Sequence, residues 1–169
     1  MSNTKDLNQQ AAIKKLKELA EEINICLFCS NLNTDGATTR PMGTQQVDDN
    51  GDIWFFSAKD SDKNREIEED EHVQLFYAHP GKSSYMVVNG TATISYDRAK
   101  IEELWSPLAK TWFKEGKDDP NISLIKVSNV NAYFWDTTGN KMVNFFKMVA
   151  SVATGKTLID AEEGAIHVK

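Results

Sequence analysis

Two cations in this chain stand where they could grip a small phosphate. Arg40 lies in Arg40-Pro41-Met42, inside an otherwise uncharged stretch. Lys63 ends the run Ser57-Ala58-Lys59-Asp60-Ser61-Asp62-Lys63, where an aromatic segment gives way to a charged one. A guanidinium holds a phosphate with a planar fork and an ammonium holds it as a point charge. The hydroxyls of Ser57 and Ser61 and the N–H groups of a helix beginning near Ser61 would add donors at the positive end of the helix dipole. Read singly, each spot has a plainer meaning. An arginine beside a proline also marks an exposed sheet edge blunted against aggregation. Ser61 followed by alternating charges also marks an ordinary capped helix with its own ion pairs.

Aromatic residues supply the second kind of chemistry. Trp54-Phe55-Phe56 is a strand-like run whose alternation sends rings to both faces, so at least one ring points away from a single core. The backbone of that strand could also offer N–H and C=O groups to the edge of a planar heterocycle. Trp112-Phe113 lies on an irregular segment before Gly116 and Asp118-Asp119-Pro120. Two large rings there are costly in water and are expected to cover a ligand or another subunit. Other constellations are missing: there is no Walker loop, G-x-G-x-x-G or G-x-S-x-G motif. Cys26 and Cys29 have redox-motif spacing, but their apolar, strand-like surroundings read as two buried free thiols. His72, His79 and His167 show no metal-ligand spacing, so no metal site is expected.

The elements that must position these residues follow from periodicity. Ile13, Leu16, Leu19, Ala20 and Ile23 fall on one helical face, giving an amphipathic helix over Ala11–Ile23. Strands are expected over 23–32, 37–47, 53–57, 72–79 and 83–96, with a final pair over 121–128 and 130–136. Asn33-Thr34-Asp35-Gly36 makes a hairpin turn, and Pro41 places its strand at an edge or a bulge. Gly90 marks a bulge or a close backbone approach. Short helices are expected over 60–71, after an Asp97 cap, and over 141–153; residues 156–169 read as a polar tail. Hairpins with helices between them indicate a mainly β, single-domain chain, a small antiparallel barrel decorated by helices.

The 169 residues carry 19 basic and 25 acidic side chains, a formal net charge of −6. That balance argues against a broad nucleic-acid or anionic-membrane surface while leaving room for a local basic pocket. No apolar run reaches membrane-spanning length, and Met1–Asp6 leads into charged sequence, so a cytoplasmic protein is expected.

Taken in order, Arg40-Pro41-Met42, Asp52-Ile53-Trp54-Phe55-Phe56-Ser57, Ser61-Asp62-Lys63, Val87-Val88-Asn89-Gly90-Thr91-Ala92, Trp105-Ser106-Pro107, Trp112-Phe113 and Tyr133-Phe134-Trp135-Asp136 form a pattern. Over roughly residues 10–155 it resembles the general stress protein 26 family, within the pyridoxamine 5′-phosphate oxidase-like flavin-binding split barrels. The resemblance implies a six-stranded antiparallel split barrel that forms a homodimer, with FMN at the interface; FAD is the alternative. It implies that Arg40, Pro41 and Met42 run along the ribityl chain and ring edge. It further implies flavin contacts from Phe55, Phe56 and Ser57, a phosphate held by Arg40, Ser61 and Lys63, and an approach by Trp112 and Phe113 from the second subunit. True pyridoxamine phosphate oxidases carry a C-terminal arginine-rich strand, whereas from Asp136 onward this chain has lysines at 141, 147, 156 and 169 and no arginine. The expected function is therefore an FMN-dependent oxidoreductase on another small molecule. The alternatives are a non-catalytic flavin-binding stress protein and a cofactor-free dimeric binding module.

Overall fold

Helix α1 (Gln9–Ile23) turns Ala12, Leu16, Leu19 and Ala20 inward and lies against several strands of one curled sheet. It ends at Asn24, whose φ of 67° and N–H···O bond to Ala20 make a left-handed stop. The computed structural model describes residues 3–6, 9–136 and 162–168. The remaining elements are β1 (Asn3–Asp6), β2 (Ile25–Ser30), β3 (Thr38–Gly43), β4 (Gln46–Val47), β5 (Ile53–Ala58), α2 (Asp62–Glu69), β6 (His72–His79), β7 (Ser84–Ser95), α3 (Arg98–Leu104), β8 (Ile122–Asp136) and β9 (Glu162–His167). Two single 3₁₀ turns, Ala109–Thr111 and Gly116–Asp118, lie between α3 and β8.

The sheet runs β3-β2-β6-β7-β8, and every pair along that path is antiparallel. At β8 it divides: Ile122–Val127 pairs with β5, while Asn131–Asp136 pairs with β9. The six strands β2, β3 and β5–β8 are the barrel expected from the hairpin pattern, with β4 as a short addition beside β5. Their inward residues include Phe28, Phe55, Leu75, Tyr77, Met86, Val88, Ile125, Val127 and Phe134, all almost fully buried. Phe28 and Phe55 meet edge to face at 5.5 Å, worth about 0.5–1.5 kcal/mol beyond the area they bury. Cys26 and Cys29 are both buried and free. Burial pushes the Cys26 thiol up to about 12, the opposite of an activated dithiol. A smaller cluster of Ile101, Phe113, Ile122 and Leu124 forms under α3, with Phe56, Trp54 and Trp105 packed on it.

Four sequence expectations change. Residues 121–128 and 130–136 are not two strands but the single strand β8. The Ser128-Asn129-Val130 step resembles a turn because Asn129 adopts φ 52°, yet it is a bulge: the register passes from Asn89↔Asn131 to Thr91↔Ser128. Gly90 sits opposite, where an added Cβ would lie 2.7 Å from the Val127 Cγ1 and 2.8 Å from the Ser128 carbonyl oxygen. The stretch 37–47 divides into β3 and β4. Residues 162–167, in the stretch left as a polar tail, form β9, and Asn3–Asp6, expected to lead into the helix, forms a strand parallel to it. A polar strand at a sheet margin shows little alternation, so partner strands rather than its own sequence define it. The helix expected over 141–153 lies outside the described residues.

Candidate functional site

Among the described residues, two strand edges go unpaired. β3 pairs there with β2 alone and ends the sheet, the edge position that Pro41 allowed for. β5 is paired along its length with β8, but on its other side β4 reaches only Ile53 and Trp54. β5 and β3 lie near one another, and along the sides left without a strand partner their backbone N–H and C=O groups remain available.

α2 stands beside both strands, bonded to β3 through Arg40 and to β5 through Ser57. Ser61 caps it, its hydroxyl accepting from the Asn64 N–H at 3.4 Å. Asn64 fastens this turn to the barrel. Its side-chain oxygen accepts from Ser57 Oγ at 2.7 Å and its amide donates to Ser123 Oγ at 2.9 Å, while Ser123 Oγ donates to the Ser57 carbonyl at 3.0 Å. All three residues are buried, so the network is held in one arrangement.

Arg40 reaches α2 from β3. Its Nη1 donates to Ser30 Oγ at 2.5 Å and its Nη2 donates to Glu66 Oε2 at 2.8 Å. Ser30 Oγ donates to the same Glu66 oxygen at 2.5 Å. Burial pushes the Glu66 carboxyl up, but the bonds from Ser30 and Arg40 and the arginine charge outweigh it and hold it below the ordinary range. Lys63, one turn earlier on α2, is half-buried. Loss of solvent, and then the neighbouring Arg40 charge, lower its pKa; the Asp60 and Glu66 charges oppose this. Among the described residues no carboxylate lies within ion-pairing distance of the Lys63 ammonium. The neighbouring helix charges pair with each other, Arg65 with Asp62. Arg40 is thus paired with Glu66, while Lys63 has Arg40 and the carboxylates of Asp60 and Glu66 in its neighbourhood without a direct ion pair among the described residues.

The residues singled out from sequence now separate into groups. Arg40, Ser57, Ser61 and Lys63 lie around the start of α2. Pro41 is exposed on the outer face of β3, and Met42 and Phe55 are core side chains. Met42 and Phe55 could therefore meet a bound molecule only through their backbone. Phe56 points to the other side of β5, 6.1 Å from Phe113. Trp112 and Phe113 part company: Trp112 is 69% exposed, whereas Phe113 is buried in the cluster under α3. Sequence reasoning missed Ser30, Glu66, Asn64 and Ser123. Glu66 could have been found from its i, i+3 spacing to Lys63; the two serines become visible only through strand register. A separate open cavity of about 290 Å³ at the bulge is lined by His72, Asn89, Asn129 and Asn131 among others. Two of its amides are engaged, Asn129 with Thr91 and Asn89 with Gln74.

A curled antiparallel sheet of this order, with helices packed beside it, is a split barrel. Residues 11–160 match the family model for "Pyridoxamine 5′-phosphate oxidase like" proteins, and the chain belongs to that family. Its fold is similar to the crystal structure of a candidate general stress protein 26 from Jannaschia sp. CCS1, with a TM-score of 0.78, 24% identity and coverage of 93% of this chain and 99% of that one. It is also similar to the general stress FMN/FAD binding protein of Xanthomonas citri, with a TM-score of 0.60, 24% identity and coverage of 74% and 89%. In sequence it is 25% identical over 156 residues to protein bli-3 of Neurospora crassa, covering 85% of this chain and 75% of that protein.

Proposed function

We propose that this chain binds FMN and acts as a flavin-dependent oxidoreductase on a small molecule. The observation that carries this reading is that Arg40 and Lys63 stand together at the start of α2, beside the ends of β3 and β5, with no carboxylate among the described residues at ion-pairing distance from Lys63. A phosphomonoester supplies the missing anion, and a planar ring with donors and acceptors on its rim supplies partners for the backbone of Arg40–Met42 and Phe55–Ser57. Ser61 and the first turn of α2 add donors to the phosphate. When bound, FMN carries the redox chemistry, and the protein's part is to hold and orient it.

The working unit is proposed to be a homodimer. On the outer face, Pro41, Leu27, Phe76, Val87, Tyr133 and Ala165 follow one another in register across six strands. Ile25, Tyr85 and Trp135 extend this band, and all three are exposed in the single chain. A contiguous apolar band of this kind is the signature of a surface covered by a partner.

The decisive experiment is the absorption spectrum of the purified protein with mass-spectrometric identification of the extracted cofactor, followed by FMN and riboflavin titration. Wild type is expected to prefer FMN, and Arg40→Ala to lose about 10- to 100-fold of that affinity, as for one charge-assisted contact. No flavin binding would refute the reading. FAD in the extract would correct the cofactor. FMN binding without NADH or NADPH consumption across an acceptor panel would leave a binding protein in place of an enzyme.

A further inference from the structure

We propose that Glu66 is a positioning residue for the phosphate, locking Arg40 through a closed triangle of hydrogen bonds with Ser30. The inference rests on the FMN reading above. Glu66 Oε2 receives both Arg40 Nη2 and Ser30 Oγ, and Ser30 Oγ receives Arg40 Nη1; the Thr38 side chain also bonds to Glu66. The triangle uses two of the five guanidinium N–H groups. The remaining donors are held in one orientation before any ligand arrives, so the rotamer freedom of a long side chain is already lost in the free protein. Glu66 and Lys63 are three residues apart on α2 and lie on the same side of it. One short helix, pinned by Ser61 and Asn64, therefore fixes both cations relative to each other.

A carboxylate beside an anion site has a second effect of opposite sign, which makes the role testable. By charge alone, Glu66 repels an incoming phosphate, and its removal would tighten binding. By positioning, its removal frees Arg40 to swing and weakens binding. Glutamine at 66 separates the two effects, because its amide oxygen can accept the same bonds without the charge.

The test uses the full chain stripped of flavin and titrated with FMN and with riboflavin, which lacks the phosphate. Glu66→Ala is expected to raise the Kd for FMN at least about tenfold while shifting that for riboflavin less than about twofold. Glu66→Gln is expected to restore wild-type FMN affinity or exceed it. Ser30→Ala removes another corner of the triangle and is expected to weaken FMN about three- to tenfold, serving in place of Glu66→Ala if that variant does not fold. Unchanged or tighter FMN binding by Glu66→Ala would overturn the proposal, as would equal losses for both flavins or a glutamine variant as weak as the alanine one. If the wild type itself binds no FMN, or binds riboflavin equally well, the functional reading falls and takes this inference with it. That result is distinct from failure of the Glu66 variants alone.

Discussion

Two lysines emerge from opposite parts of the barrel, and their settings could hardly differ more. Lys15 on α1 reaches Asp136 at the end of β8, with Nζ to Oδ2 at 2.5 Å. Ser84 Oγ donates to the other carboxylate oxygen at 2.7 Å, and the Phe134 ring lies 5.2 Å from the ammonium. Lys63 on α2 is also half-buried, but it has no direct ion pair among the described residues, and the Arg40 charge acts on it more strongly than either Asp60 or Glu66. The first lysine is balanced within the fold and ties α1 to the sheet. The second is left partly desolvated without a direct partner, a setting that an added anion would complete. Burying a cation without its own partner costs stability, and proteins retain such arrangements where a ligand completes them.

Exchanging the losses is the strongest way to break this comparison. Lys63→Ala is expected to reduce FMN affinity about 10- to 100-fold, with urea stability of the flavin-free protein unchanged or slightly higher. Lys15→Ala is expected to do the reverse, lowering stability by about 1–2 kcal/mol once solvent screening is allowed for, with FMN affinity unchanged. Paired urea melts and flavin titrations of the two variants decide it. A large stability loss in Lys63→Ala would make both corners structural.

Acid titration sharpens the same contrast. Burial raises the Asp136 carboxyl, but the bonds from Lys15 and Ser84 outweigh it and hold it below the ordinary 3.8. Glu66 is likewise held below 4.5. A carboxyl depressed in the folded state contributes stability that is full above its unfolded value and is lost as pH falls through its folded value. Stability measured by urea unfolding is therefore expected to fall below about pH 4.5, more steeply below 3.8. Asp136→Asn should flatten the lower part of the curve, and a slope unchanged in that variant would remove Asp136 from the account.

The smallest expected effect concerns the alkaline side. A phosphate beside Lys63 favours its charged form, so FMN binding takes up a proton once the pH exceeds the lowered pKa of the free protein. Affinity should decline, by a few-fold, at a pH below 10.5, where an ordinary lysine would still be charged. Lys63→Ala should abolish that decline. A wild-type profile that stays flat to pH 10.5 would mean the ammonium does not face the phosphate.

Local signals were read well where one residue type has one physical consequence. Ser61 and Asp97 cap α2 and α3; Pro41 lies on an edge strand, and Gly90 sits at a bulge too tight for a Cβ. Of the residues singled out for the candidate site, Arg40, Ser57, Ser61 and Lys63 lie around the start of α2. Reading failed where a residue's meaning depends on its neighbours across strands. Asn129 looks like a turn residue and is a bulge, and Trp112 and Phe113 look like a unit but face opposite environments. Ser30 and Glu66 carry no mark of their own, since a serine at a strand end and a glutamate on a charged helix are commonplace.

By itself, then, the sequence determined the succession of hairpins and capped helices, the edge position of β3 and the four side chains that gather at one corner. Periodicity, proline and glycine sterics and capping are short-range effects, legible within a few residues. Only the tertiary structure decided which cation would be balanced. Asp136 lies 121 residues from Lys15 and Glu66 lies 26 from Arg40. The charge state of each corner depends on distances that strand register and helix docking alone establish.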